Sequence, residues 1–155
     1  MSQHAAQVAW TLAETPDAFL AGRYSRAHQI GVEGLSLPGS PSPAVVPAPW
    51  SQAGALDPEA AFTASLSACH MLWFLDLARQ AGLAVASYRD EAVGTLGRMQ
   101  RGRMGMTRVV LRPVIEWAAE PPPPERIAQL HHRAHELCFI ANSVITEVVV
   151  ESAPR

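Results

Sequence analysis

The chain contains no lysine; all twelve of its basic residues are arginines. That absence excludes Schiff-base chemistry and any lysine nucleophile or base. Cysteine is almost as scarce. Two in 155 residues exclude a disulfide-stapled miniprotein and a four-cysteine zinc cage. Charged residues make up only 17%, and fourteen acidic against twelve basic side chains give a formal net charge of −2. No bulk field points to nucleic acid or to an anionic membrane. The N-terminus, MSQHAAQVAWTLAE, has neither a basic start nor an apolar block, so it does not read as a secretory signal. The most apolar stretch, Ala60 to Ala81, is interrupted by Ser65, Ser67, His70, Asp76 and Arg79, and no membrane span is expected.

What is present is a 48% hydrophobic chain, enough for a sizeable core in one domain over residues 1–155. The default compartment is the cytoplasm, where thiols stay reduced. Strand candidates are Gln7 to Leu12 and Tyr24 to Val32, with Tyr24, Arg26, His28 and Ile30 on one face of the second and a turn near Asp17 to Gly22 between them. Leu37 to Trp50 is crowded with prolines and reads as an irregular loop.

Asp57-Pro58-Glu59 has the form of a helix start, with aspartate as cap, proline in the first turn and glutamate at the positive end of the dipole. The helix is expected to reach Gln80 and stop at Gly82. It is apolar on every face between Phe62 and Leu77, which calls for burial on nearly all sides and hence for a partner subunit. Ser87 to Leu96 and Met106 to Trp117 form an expected antiparallel pair, in which Pro113 suggests an edge or a bulge. A second helix runs from Glu125 to about Ile140, with Asn142 as a candidate left-handed terminator, and Ile145 to Glu151 closes as a strand. Grouped rather than alternating elements favour an α+β fold.

Cys69 lies mid-helix in SLSACHMLWFLDLA, and Cys138 lies late in the second helix, in HHRAHELCFIANS. Each is a small core residue, a metal ligand or a redox thiol. A mid-helix thiol has no helix N-terminus to lower its pKa, so a redox thiolate needs a cation, here arginine or histidine. His131, His135 and Cys138 fall at i, i+4 and i+7 on one helical face, a spacing zinc could use, although a solvated or hydrogen-bonded face is the plainer reading. His70 points about 100° away from Cys69 and reads as a satisfied core or interface histidine. His28 shares a strand face with Arg26 and is a candidate supporting group. Met71, Leu72, Trp73 and Phe74 follow Cys69 as buried packing or as the wall of an apolar pocket. Arg98, Arg101, Arg103 and Arg108 sit among glycines without aromatic stacking partners, which reads as a solvated loop rather than a nucleic-acid surface.

PEAAFTASLSACH followed by HHRAHELCFIANSVITEV resembles the OsmC/Ohr family of organic hydroperoxide peroxidases, over roughly Tyr24 to Glu151. The resemblance implies antiparallel sheets wrapped around long central helices in an intertwined homodimer. It implies Cys69 as the peroxidatic and Cys138 as the resolving cysteine. Glu59 matches the glutamate of the family's Pro-Glu motif. Arg26 is the candidate for the family's early-strand arginine, with Arg23 as runner-up. The implied activity reduces an organic hydroperoxide to an alcohol, with a Cys69–Cys138 disulfide then reduced by an external dithiol, a dihydrolipoyl protein by family resemblance. No cofactor or resident metal is part of this reading. The alternative is a non-catalytic dimer that binds a ligand or a metal on the same scaffold. Glu59 and Cys69 are ten residues apart, about 15 Å of helical rise and on different faces. Either that helix breaks near Thr63 to Ser67, or a second subunit supplies the carboxylate.

Overall fold

A computed structural model describes residues 1–151, the side chain of Arg101 excepted. They fall into two compact units, Met1–Ala61 and a second that begins at Phe62. In the first, β1 (Gln7–Ala9), β2 (His28–Val32) and β3 (Leu35–Gly39) form an antiparallel sheet in that order, with a five-residue helix, α1 (Pro16–Leu20), between β1 and β2. Thr15 caps α1 by accepting the Ala18 N–H, and Gly22, at φ +75°, takes the left-handed turn that follows.

Two expectations for this unit need correction. The strand expected from Tyr24 begins only at His28. Residues 24–27 spend their backbone groups elsewhere. Arg26 N–H donates to the Trp50 carbonyl at 3.1 Å, Ser25 N–H to Glu14 Oε1 at 3.0 Å, and the Ser25 carbonyl accepts from Trp10 Nε1 at 2.8 Å. The irregular loop expected from Leu37 begins after Gly39, because Leu37 and Pro38 pair with Ile30 and Gln29. β3 lies at the sheet edge, where a proline is tolerated.

The second unit is organised by α2 (Pro58–Gln80), which begins in the last residues of the first. Asp57 caps it, accepting the Ala60 N–H at 2.8 Å, and Gly82 ends it at φ +72°. Its buried residues are Thr63, Leu66, His70, Phe74 and Ala78, a single stripe at helical spacing. Leu66 packs with Val109 and Leu111, whereas Phe74 and Ala78 pack with Leu130 and Ala134. The helix therefore organises two cores in succession. The expected burial on nearly all sides is not met within one chain, since Leu72 remains 63% exposed. By length and mean hydropathy α2 could cross a bilayer. Its polar groups are instead engaged by the fold, with Ser67 Oγ on Asp90 Oδ2 at 2.5 Å and His70 on His131 at 3.0 Å.

The expected hairpin is present but divided. β4 (Val85–Asp90) pairs with β7 (Pro113–Trp117), and β5 (Val93–Arg98) pairs with β6 (Met104–Leu111), both antiparallel. The break lies at Glu91–Ala92 on one arm and at Arg112 on the other. Asp90 holds it, accepting from the Arg112 N–H at 2.6 Å as well as from Ser67. Pro113, with no N–H to give, begins the second half of its arm. β8 (Glu147–Val150) adds to β6 in parallel, which an all-antiparallel expectation did not include. α3 (Pro124–Leu137) stops three residues short of the expected Ile140. Its end is closed by Asn142 Nδ2 donating to the Glu136 carbonyl at 2.9 Å. Asn142 thus terminates the helix through its side chain, within a short 3₁₀ turn at Ala141–Ser143, rather than in a left-handed conformation.

Asp90 satisfies one backbone N–H and one hydroxyl where the sheet divides. Asp90→Ala should therefore lower stability by about 1–3 kcal/mol, the cost of stranding such partners. Urea unfolding of both proteins measures this; an unchanged midpoint and slope would show that water replaces the carboxylate freely.

Candidate active site

Cys69 sits on the flank of α2, one position before the buried stripe residue His70. Cys138 is the residue immediately after α3, extended at φ −65° and ψ 110°, and not inside the helix as expected. Three contacts fix it. Its N–H donates to the His135 carbonyl at 3.2 Å, its carbonyl accepts the Asn142 N–H at 3.0 Å, and its Sγ accepts the Ala141 N–H at 3.4 Å. Both cysteines are free thiols, Cys69 half-buried and Cys138 buried. The Cys69 side chain lies close enough to the Cys138 thiol to perturb it, across 69 residues of sequence.

Burial, reinforced by the neighbouring Cys69 thiol, pushes the Cys138 thiol up to about 11 from its usual 9. It is held as a thiol at neutral pH. The more accessible sulfur belongs to Cys69, which opens into an apolar cleft of about 580 Å³ lined by Ser65, Leu72, Trp73, Asp76, Phe139 and Ile140 among others. Positions 65, 69, 72 and 76 share one helical face, a spacing readable in the sequence. Trp73 meets Phe139 edge to face at 5.4 Å between ring centroids. Phe74 belongs to the opposite, core-facing side, so only part of the Met71 to Phe74 cluster forms the wall.

Arg26 and Glu59 lie in the first unit. The Arg26 guanidinium carbon stands over the Tyr24 ring at 4.1 Å from its centroid, and Nη1 donates to the Tyr24 carbonyl at 3.2 Å. Arg23 lies in the turn after α1, where its N–H donates to the Ala18 carbonyl at 2.8 Å. His28 Nδ1 donates to the Arg26 carbonyl at 2.9 Å, which fixes its protonated nitrogen. Glu59 occupies the first turn of α2, which runs unbroken from Pro58 to Gln80. The break considered near Thr63 to Ser67 is absent. Nothing in the sequence signalled Phe139 and Ile140 as part of the cleft, because Cys138 reads as helical there and the turn that swings them round depends on Asn142.

The histidines of α3 separate. His131 is buried against His70, ring on ring at 5.3 Å, and stacks on Phe74 at 4.4 Å. His132 is exposed beside Glu136 at 3.3 Å. No group of three or more His, Cys, Asp or Glu among the described residues could hold a metal ion.

The OsmC-like family model matches residues 51–153. The chain belongs to the OsmC-like family. It is 46% identical to an OsmC-like protein of unknown function from Vibrio cholerae, with 99% of this chain and 100% of that one covered and a TM-score of 0.93. More distant folds include an organic hydroperoxide resistance protein OsmC from Legionella pneumophila, 17% identical over 98% and 96% of the two chains at TM-score 0.69. A putative organic hydroperoxide resistance protein from Vibrio cholerae, with captopril bound in one of its active sites, is 23% identical over 98% and 90% at TM-score 0.67. No curated protein matches the chain.

Burial holds His70 and His131 down to about 4 from the usual 6.5; their mutual repulsion adds to this for His131, and the proximity of His135 adds to it for His70, where Asp90 opposes. Between those values the unfolded chain binds protons that the OsmC-like fold does not. Stability is therefore full above about pH 6.5 and falls toward pH 4, with each ring contributing up to about 1.4 kcal/mol per pH unit. Urea midpoints should drop between pH 7 and pH 5, and His131→Asn should flatten that dependence. Parallel pH curves for the two proteins would place the sensitivity elsewhere.

Proposed function

We propose that the protein is a thiol-dependent peroxidase that reduces organic hydroperoxides to alcohols. The observation that carries this reading is the pair of neighbouring free thiols, one half-buried and one buried, at the wall of an apolar cleft. The Cys69 thiolate attacks the terminal peroxide oxygen. The O–O bond breaks, the alkoxide takes a proton and leaves as alcohol, and Cys69 becomes a sulfenic acid. The Cys138 sulfur then displaces hydroxide, which leaves as water, and a Cys69–Cys138 disulfide forms. An external dithiol returns both residues to thiols and is itself oxidised to a disulfide; a dihydrolipoyl protein is the partner the family resemblance suggests. A reducing cytoplasm suits such a cycle. The distant structural neighbours named organic hydroperoxide resistance proteins support the substrate class.

Arg26 supplies the cation that stabilises the Cys69 thiolate and orients the peroxide, and Glu59 holds its guanidinium through a bidentate pair that a lysine could not reproduce. The unbroken α2 favours the version in which the Arg26–Glu59 pair comes from the other chain. Residues 1–155 then act as one domain of an obligate two-fold homodimer. Exposed Leu72 and Phe139 support that assembly, since covering each is worth about 1.5–3 kcal/mol.

Cys69→Ser should abolish hydroperoxide consumption, because a serine hydroxyl is neither ionised near neutral pH nor easily oxidised. Cys138→Ser should allow one sulfenic acid per chain and then stop. Sustained turnover of Cys138→Ser with a dithiol would remove its resolving role. Sharing of the site is tested by co-folding Cys69→Ser with Glu59→Ala chains. Each homodimer should be dead, whereas heterodimers should regain about one site in two. A monomer at micromolar concentration, or no rescue in verified heterodimers, would exclude the shared site.

A further inference from the structure

The segment that carries Arg26 is irregular, yet its backbone is fastened from both directions. The Arg26 N–H donates to the Trp50 carbonyl and the Arg26 carbonyl accepts from His28 Nδ1. Ser25 is tied through its N–H to Glu14 and through its carbonyl to Trp10. His28 itself is seated against Gly39, where even a Cβ would collide with the His28 ring at Nε2. Such fastening fixes where the Cα of Arg26 stands. It does not fix a side chain with four rotatable bonds and about 2 kcal/mol of rotamer entropy.

The Tyr24 ring supplies that second restraint. It lies under the guanidinium at 4.1 Å and is braced by Phe19 at 4.6 Å and by Trp10, edge on, at 5.7 Å. Trp10 and Phe19 meet at 5.9 Å, so the three rings form a small apolar cluster that positions the platform. Stacking occupies the face of a guanidinium and none of its five N–H donors. One donor goes to the Tyr24 carbonyl, and the contact leaves the fork edge for anionic or peroxide oxygens. We propose that Tyr24 is a positioning residue for the peroxidase reaction: its ring, held by Trp10 and Phe19, sets the orientation of the Arg26 guanidinium. The inference rests on the role given to Arg26 above. Its geometry lies wholly within Met1–Ala61.

The test follows the reaction of Cys69 with an organic hydroperoxide, tert-butyl hydroperoxide, and the pH profile of its alkylation by iodoacetamide. Tyr24→Leu should slow peroxide reduction about ten-fold, the scale of a partly desolvated cation–π contact, and shift the alkylation profile to higher pH. Tyr24→Phe, which keeps the ring, should restore both. Phe19→Leu removes one brace of the ring without touching Arg26; it should lower the melting temperature and displace the alkylation profile in the same direction but clearly less than Tyr24→Leu. A Phe19→Leu profile displaced as far as that of Tyr24→Leu would reduce the effect to cluster stability and overturn the proposal. A wild-type rate and profile in Tyr24→Leu, alongside an impaired Arg26→Lys, would overturn it while leaving the role of Arg26 intact. A fully active Arg26→Lys would remove that role and the inference with it. In the unaltered protein, the Arg26 side-chain protons should resonate upfield of their random-coil positions; unshifted resonances would overturn the stacking whatever the variants do.

Discussion

The second unit depends on one packed stripe. Thr63, Leu66, His70, Phe74 and Ala78 are the buried positions of α2, and both hydrophobic cores are assembled on them. Leu66 gathers the β5–β6–β8 side and Phe74 gathers α3 and the β4–β7 side. The sheet must then divide where the two cores meet, and Asp90 is the residue that accepts the loose ends. Cys69 occupies the helix flank beside this stripe, so its position is inherited from the core rather than from a loop. Cys138 is carried to it by α3, whose Leu130 and Ala134 belong to the same core as Phe74.

This placement gives the two sulfurs different chemistry. Cys138 is enclosed, with a backbone N–H on its sulfur and a pKa pushed up to about 11, which suits a thiol that waits. Cys69 is the one a small organic molecule can approach across Leu72, Trp73 and Phe139. A thiolate there needs a cation that the chain, having no lysine, can take only from arginine or histidine. Burial keeps His70 and His131 neutral at pH 7 and so disqualifies them. In the proposed reaction an arginine takes that part, Arg26, whose guanidinium stands over the Tyr24 ring.

Much of this was legible from residue types. Asp57-Pro58-Glu59 and Gly82 bracket α2 because cap, dipole and left-handed turn are local effects. The pairing of the two cysteines came from a resemblance, not from spacing, since a separation of 69 positions carries no geometric signal. The misread places are those where a distant partner decides. Tyr24 to Ala27 alternates like a strand, but Trp10, Glu14 and Trp50 claim its backbone groups. Ser87 to Leu96 reads as one strand until Asp90 ties it to Ser67 and Arg112. α3 ends early because Asn142 reaches back to Glu136, and that turn brings Phe139 and Ile140 to the cleft. The apolar faces of α2 asked for a partner, and the exposure of Leu72 leaves that demand standing within one chain.

The central claim is that Cys69 and Cys138 form a redox couple driven by organic peroxide. One stoichiometric addition of an organic hydroperoxide to the reduced protein, followed by intact mass and peptide mapping under non-reducing conditions, tests it most directly. The predicted result is a loss of about 2 Da per chain with Cys69 and Cys138 joined in one peptide pair, reversed by a dithiol. An unchanged mass with both thiols still titratable, or oxygen added irreversibly to Cys69 while Cys138 stays free, would contradict it.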